Sequence, residues 1–275
     1  LTRGAVWHLG ILEMVLGLFI IATGGLLSWA VVKPVLMWIF CLYLGGLNLS
    51  GVPLRQPDGE SGRSKIVRTV FGICLIGFGS WGLASAGVAQ LQPALGLSAA
   101  ILLYDAWHKQ SPWSVVTMGA CRWLLYITAA ASAGGGLLEP AMVCGGVVWL
   151  YIIVLSLVAR GEATRGDAIP RTRWLLLTVP LALAGAGWWL GLRSWDAAVP
   201  PLFLLAGGSL LLPHGRRHVS LWVNRLLAAI PWLDFSIILL WRLLHPGDGS
   251  GSVWLLAFPA AVGLSLLFQR WFKAT

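Results

Sequence analysis

Long, uninterrupted apolar runs separated by short polar clusters dominate the chain. Between Lys33 and Arg55 lie 21 uncharged residues, between Glu139 and Arg160 20, between Arg173 and Arg193 19, and between Asp248 and Arg270 21. A helix rises about 1.5 Å per residue, so roughly 20 residues cross a hydrocarbon core of about 30 Å. These lengths predict membrane spans. From Thr69 to Tyr104 the chain holds 36 uncharged residues, too many for one crossing, and Gln90-Leu91-Gln92-Pro93 near the middle predicts the turn of a helical hairpin. The whole pattern predicts spans over 11–32, 34–50, 67–89, 93–107, 113–133, 137–159, 174–192, 195–212, 221–244 and 253–271, the second and fourth short. The runs are continuously apolar rather than alternating, and lipid satisfies no exposed amide, so helices are expected rather than a barrel. The expected fold is therefore all-α, a polytopic transmembrane helical bundle of nine or ten spans forming a single domain over residues 1–275.

Composition sharpens this picture. Hydrophobic residues make up 58% of the chain and charged residues 11%, against about 25% charged in an ordinary soluble domain, which excludes a soluble fold. The 34 glycines suit close helix packing in lipid, where small residues let backbones approach. A net charge of +9 raises the question of nucleic acid, but no soluble domain is present to carry a basic patch. The bases instead sort by side. On the ten-span pattern, 15 lie in the even loops or at the termini, against Lys33, Arg193 and Arg242 on the other side and Arg122 within a span. This bias predicts an integral membrane protein, in a bacterial inner membrane, with both termini cytoplasmic. Glu13 interrupts the first apolar run, so that run is expected to be a retained span rather than a signal peptide.

Cys41, Cys74, Cys121 and Cys144 all fall inside spans without metal-ligand spacing, which points to packing. Of 17 tryptophans, Trp29, Trp107, Trp113, Trp174, Trp195 and Trp271 fall near span ends. They fit an interfacial belt, or else some line an apolar cavity whose ring faces stabilise a cation.

Ionisable side chains inside a bilayer are costly, so each is a candidate for function, with an ion pair as its structural alternative. Glu13 lies early in the first span, either in a site or beside a basic neighbour. In Tyr104-Asp105-Ala106-Trp107-His108-Lys109, Tyr104 and His108 share a helical face, as do Asp105 and Lys109. That helix end suits an anion or phosphate, or forms an Asp105–Lys109 surface pair. Arg122 lies roughly 15 Å into the fifth span if the helix begins at Pro112. It keeps its charge and needs a carboxylate, phosphate or water, and the hairpin brings Asp105 within reach. Glu162 and Asp167 beside Arg160 and Arg165 suit a divalent cation or a solvated loop. Asp58 and Glu60 lie in the longest loop, on the same side, and Asp234 in the ninth span suits a buried pair with Arg225 or Arg242. Acids for a hard cation beside Arg and Lys for phosphate are what a magnesium–diphosphate site requires.

These segments resemble the UbiA superfamily of intramembrane prenyltransferases, and within it the EboC-like branch. Arg3 and Leu12-Glu13-Met14-Val15-Leu16-Gly17 resemble the opening of that branch, with Glu13 for its Asp. Tyr104-Asp105-Ala106-Trp107-His108-Lys109 resembles Y-N-x-x-H-K, and Met118-Gly119-Ala120-Cys121-Arg122 with Tyr126 resembles M-G-x-C-R-x-x-x-Y. Leu157 to Glu162 and Arg270 to Thr275 look like the end of its sixth span and its C-terminus. In the N-D-x-x-D-x-x-x-D motif of the family, Asn48 stands in place, but Leu49 and Val52 occupy the next carboxylate positions.

The resemblance implies a helical bundle around a central cavity and transfer of an isoprenoid chain from a prenyl diphosphate to a small acceptor, with Mg²⁺ as cofactor. Glu162, Asp167 and Arg122 are the expected catalytic residues, with Asp58, Glu60, Glu162 and Asp167 on the metal. Asn48, Tyr104, Asp105, His108, Lys109, Tyr126 and Glu13 are the expected substrate-binding residues, and the site opens on the cytoplasmic face. The alternative is a non-catalytic isoprenoid-binding, lipid-binding or transport protein that has lost the first Asp-rich motif. Membrane lipids, and not nucleic acid, are the expected surroundings.

Overall fold

A computed structural model describes residues 29–49, 62–85, 88–107, 111, 113–133, 138–165, 171–193, 195–211, 219–244 and 263. Among them the architecture is all-α, without a strand. The helices are α1 (Trp29–Leu49), α2 (Gly62–Ser85), α3 (Val88–Trp107), α4 (Ser114–Ala133), α5 (Leu138–Arg165), α6 (Thr178–Trp189), α7 (Val199–Leu211), α8 (Val219–Ala228) and α9 (Ile230–Leu244). Short 3₁₀ segments, Arg171–Leu177 and Trp195–Ala198, lead into α6 and α7.

Four helical stretches are long and apolar enough to cross a membrane: Ile66–Ser85, Ser114–Ser132, Leu138–Arg160 and Arg225–Leu244. Large apolar side chains on the outside, such as Phe71, Trp81, Leu181 and Leu202, belong with them. Water would penalise that surface, whereas lipid does not. The chain is an integral membrane protein.

Several boundaries differ from the sequence expectation, for local reasons. The break expected at Lys33-Pro34 is absent, because α1 runs through both residues. Proline removes one amide donor, that to Ala30, and this bends a helix without ending it where neighbouring turns hold. Pro93 behaves likewise inside α3, a helix of 20 residues that runs through Gln90–Pro93, where the sequence predicted a turn. Helix α5 continues past Ala159 to Arg165, through residues that read as a possible solvated loop. Arginines complement the partial negative charge of a helix C-terminus, and Glu162 and Ala163 are good helix formers. The expected first and tenth spans lie outside the described residues, apart from the first span's last residues within α1 and Gly263 of the tenth.

Two apolar clusters make up the interior. Val35, Ile39, Leu42, Ile76, Leu83 and Leu97 of α1–α3 form one, and α5–α9 form most of the other around Val148, Leu155, Leu183, Leu233 and Ile237. Helix α4 serves both, giving Leu125 and Ala129 to the first and Tyr126 to the second. Between α2 and α3 the Ser80 and Ser98 hydroxyls hydrogen-bond at 2.6 Å.

Tryptophan-over-glycine contacts lock the helices at close range. Trp123 and Trp149 stack with centroids 5.7 Å apart between α4 and α5. Trp149 lies against Gly119 and donates its indole N–H to the Val116 carbonyl at 3.1 Å. Trp123 lies against Gly145 and donates to the Met142 carbonyl at 2.9 Å. Trp232 of α9 repeats the arrangement on α7, over Gly207 with a 3.1 Å bond to the Phe203 carbonyl. In each case the missing side chain exposes a helix backbone to the ring, and a carbonyl three or four residues earlier uses its second lone pair. These tryptophans are helix-packing residues, a role outside both sequence readings. Trp107, Trp113, Trp174 and Trp195 are exposed at helix ends, as a belt requires. None of the four cysteines forms a disulfide.

A methyl group at Gly145 would sit 2.8 Å from Trp123 Cδ1, whereas one at Gly146 meets nothing within 4 Å. Gly145→Ala should therefore destabilise the protein by about 1–3 kcal/mol. Gly146→Ala should be neutral or stabilising by up to about 1 kcal/mol. Thermal unfolding in one detergent checks both, and equal midpoints would refute the packing described.

Candidate functional site

Two groups of polar side chains lie among the apolar helices. The deeper one starts from α4, where Arg122 and Tyr126 stand four residues apart and so share a face. Arg122 is eight residues in, about 12 Å from the helix start. Its electrostatic partners are Tyr126 and Asp234, and Asp234 comes from α9, more than a hundred residues away. The Tyr126 hydroxyl donates a hydrogen bond to Asp234 Oδ1. Asp234 is 1% exposed and Tyr126 7%, so water does not solvate the carboxylate and the protein must. The sequence suggested Asp105 for Arg122, and Arg225 or Arg242 for Asp234. The structure instead brings Arg122, Tyr126 and Asp234 together.

The local backbone explains how α9 presents that carboxylate. The stretch Arg225–Leu244 is interrupted at Ala229, between α8 and α9. Pro231 has no amide to give the Leu227 carbonyl, which bends the path there. Continuity is kept by the Ala229 amide bonding to the Arg225 carbonyl at 3.0 Å and by Leu233 bonding to Ala229 at 3.0 Å. From α5, the Tyr151 hydroxyl donates to the Leu226 carbonyl at 2.5 Å, beside the Ala229 amide that the same carbonyl accepts at 3.1 Å, and so ties α5 to the bend. Asp234 stands one turn beyond it.

The second group lies at the end of the bundle where α1 and α3 finish and α4 begins. Helix α1 passes α3 at Gly46, where an added methyl would lie 2.9 Å from Ile101 Cγ2 and 3.8 Å from Asp105 Oδ2. Asn48, two residues on, faces round the helix to α2, where a methyl at Gly72 would lie 3.2 Å from its Cβ. Asn48 Nδ2 donates to the Leu44 carbonyl at 2.7 Å. Asp105 interacts electrostatically with Tyr104 and Cys121, and Arg160 of α5 does so with Tyr104. Arg160 donates to Ser114 Oγ at 2.7 Å and to the Ser111 carbonyl at 3.3 Å, which ties the end of α5 to the start of α4. At the opposite end, Trp189 donates to Glu139 Oε1 at 3.3 Å and joins α6 to α5.

Of the residues singled out from sequence, Tyr104 and Asp105 belong to the helix-end group and Arg122 and Tyr126 to the deeper one, while Asn48, at the end of α1, packs against Gly72 of α2. Glu13, Asp58, Glu60, His108, Lys109 and Asp167 lie outside the described residues, as does the side chain of Glu162, whose backbone is in α5. Among the described residues no three His, Cys, Asp or Glu side chains group to hold a metal. Arg160, Ser114 and Tyr151 were missed as polar contacts. Arg160 had been read with its loop, and nothing in the local sequence distinguishes the other two.

Tyr126→Phe removes the donor to a buried carboxylate and should cost about 1–3 kcal/mol of stability. Tyr151→Phe, which removes a donor to a backbone carbonyl, should cost about 0.5–1.5 kcal/mol. Unfolding midpoints in lipid nanodiscs check the order, and a silent Tyr126→Phe would contradict the geometry. No family model, curated protein or solved structure matches the chain.

Proposed function

We propose that the chain is a UbiA-type intramembrane prenyltransferase, a bundle of nine or ten spans that transfers an isoprenoid chain from a prenyl diphosphate to a small acceptor. One observation supports this above the others. Gly46 lets α1 pass close to Asp105, so the end of α3 that carries Tyr104 and Asp105, which the family resemblance assigns to substrate, lies against the last turns of α1, the helix that ends with Asn48 and Leu49. Arg160, held by Ser114, adds a positive charge at that end. His108 and Lys109 follow α3 directly in sequence, and Glu162 and Asp167 follow Arg160. On this reading the sequence that continues from those helix ends supplies groups of both signs, bases for a diphosphate and acids for a metal.

On this reading Asp58, Glu60, Glu162 and Asp167 hold Mg²⁺, which supplies charge neutralisation for the departing diphosphate. Lys109, His108 and Arg122 contact diphosphate oxygens, and Asn48 and Tyr104 orient the substrate at the mouth. Donors already in place where charge develops contribute more to rate than donors that must reorganise. The apolar helices shelter the isoprenoid tail and keep water from the allylic cation.

A second reading draws on the bend at Ala229–Pro231. Interrupted helices beside a buried acid occur in carriers, so isoprenoid binding or transport without ionisation remains the competing function. Purified protein in nanodiscs with Mg²⁺, labelled farnesyl or geranylgeranyl diphosphate and a lipid extract separates the two. The enzyme releases diphosphate, and Lys109→Gln lowers that rate at least about tenfold, roughly 1.4 kcal/mol in barrier. Binding without release favours the carrier, and neither binding nor release contradicts both.

A further inference from the structure

The group formed by Arg122, Tyr126 and Asp234 asks for an explanation beyond packing. A buried charge pair is often no more stable than well-packed apolar residues of the same volume, so helix association alone does not require one. Trp123, Trp149 and Gly145 already join α4 to α5 without charges. Asp234 is 1% exposed, takes a hydrogen bond from Tyr126, and lies within electrostatic reach of Arg122, just past the interruption at Ala229.

Direction adds to this. Helical side chains lean toward the N-terminus of their helix. The N-terminus of α4 is Ser114, which Arg160 holds, and just before it the Ser111 amide bonds back to the Trp107 carbonyl at 3.0 Å, two residues past Asp105. Arg122 stands about two turns along α4 from that end. Its stem is long and flexible, and a flexible guanidinium binds a diphosphate well only when something fixes it.

We propose that Asp234 is a positioning residue for Arg122, holding the guanidinium, with Tyr126 orienting the carboxylate, so that it meets the diphosphate of an isoprenoid diphosphate entering from the Asp105 end. This rests on the prenyl diphosphate reading and adds to it a residue of α9 that does not itself touch substrate. Asp234 acts through Arg122, so removing it matters only while Arg122 is present.

The test uses the full chain in lipid nanodiscs with four forms: unaltered, Asp234→Asn, Arg122→Gln and the double variant. Thermal unfolding is read alongside Mg²⁺-dependent binding of farnesyl diphosphate and binding of farnesol, which has the tail and no diphosphate. Each single change should lower the unfolding midpoint by leaving one charge alone, and the double variant should regain most of it. Farnesyl diphosphate affinity should fall at least about tenfold in Asp234→Asn and in Arg122→Gln, with no further fall in the double variant, while farnesol binding is unchanged. A double variant that is stable and binds farnesyl diphosphate as the unaltered protein does would overturn the proposal, leaving a pair that serves folding alone. A double variant no more stable than the single ones would overturn the pairing itself. Failure of the unaltered protein to bind farnesyl diphosphate would refute the parent reading, and the proposal with it, whatever the unfolding data show.

Discussion

Hydrocarbon offers no hydrogen bonds, so every polar group carried into the bilayer must find its partner within the protein. In this chain the requirement is sharpest at Asp234, whose carboxylate lies on α9 with almost no exposure. Tyr126 on α4 donates to it, and Arg122, one turn earlier on the same helix, lies within electrostatic reach. Because α4 also gives Leu125 and Ala129 to the cluster of α1–α3, its rotation about its own axis is constrained on both sides. Turning α4 to suit one cluster alone would strand the polar face in the other. The arrangement therefore couples the two halves of the interior through a single helix.

Close packing makes that coupling rigid. Ordinary hydrophobic driving force is weak between helices in lipid, and what remains is van der Waals fit and hydrogen bonding. Tryptophan over glycine supplies both at once, a large flat surface against bare backbone and an N–H to a carbonyl. It appears between α4 and α5 in both directions and again between α7 and α9. The Tyr151 bond to the Leu226 carbonyl adds a further tie between α5 and the segment near Ala229.

Much of this was legible in the sequence and some was not, for identifiable reasons. Span length and continuous apolarity identified helices α2, α4 and α5 closely, because these reflect the bilayer rather than any particular partner. Prolines misled at Pro34 and Pro93, where neighbouring turns absorb one lost bond, yet at Pro231 a real interruption passed unnoticed inside an apolar run. Arg122 stood out since no other base lies deep in a span. Its partner did not, because nothing local links residue 122 to residue 234, and the nearer Asp105 was the natural guess. Asp105 proved to lie beside Gly46 and Cys121 instead, in the second polar group. The tryptophans were ambiguous for a related reason. Whether an indole belongs to an interface or to a helix contact depends on a glycine across the gap, which only the fold supplies.

The central claim is that α4 and α9 are joined in the membrane interior through Tyr126, Asp234 and Arg122. Solid-state NMR of the protein in lipid bilayers, with carbon-13 in Tyr, Asp and Arg side chains, tests this most directly. The account predicts a close-range correlation between the Tyr126 phenol and the Asp234 carboxyl, with Arg122 correlating to the same Asp234 and both signals lost in Asp234→Asn. A Tyr126 ring with no correlation to Asp234, and an Arg122 guanidinium correlated to Asp105 instead, would contradict it.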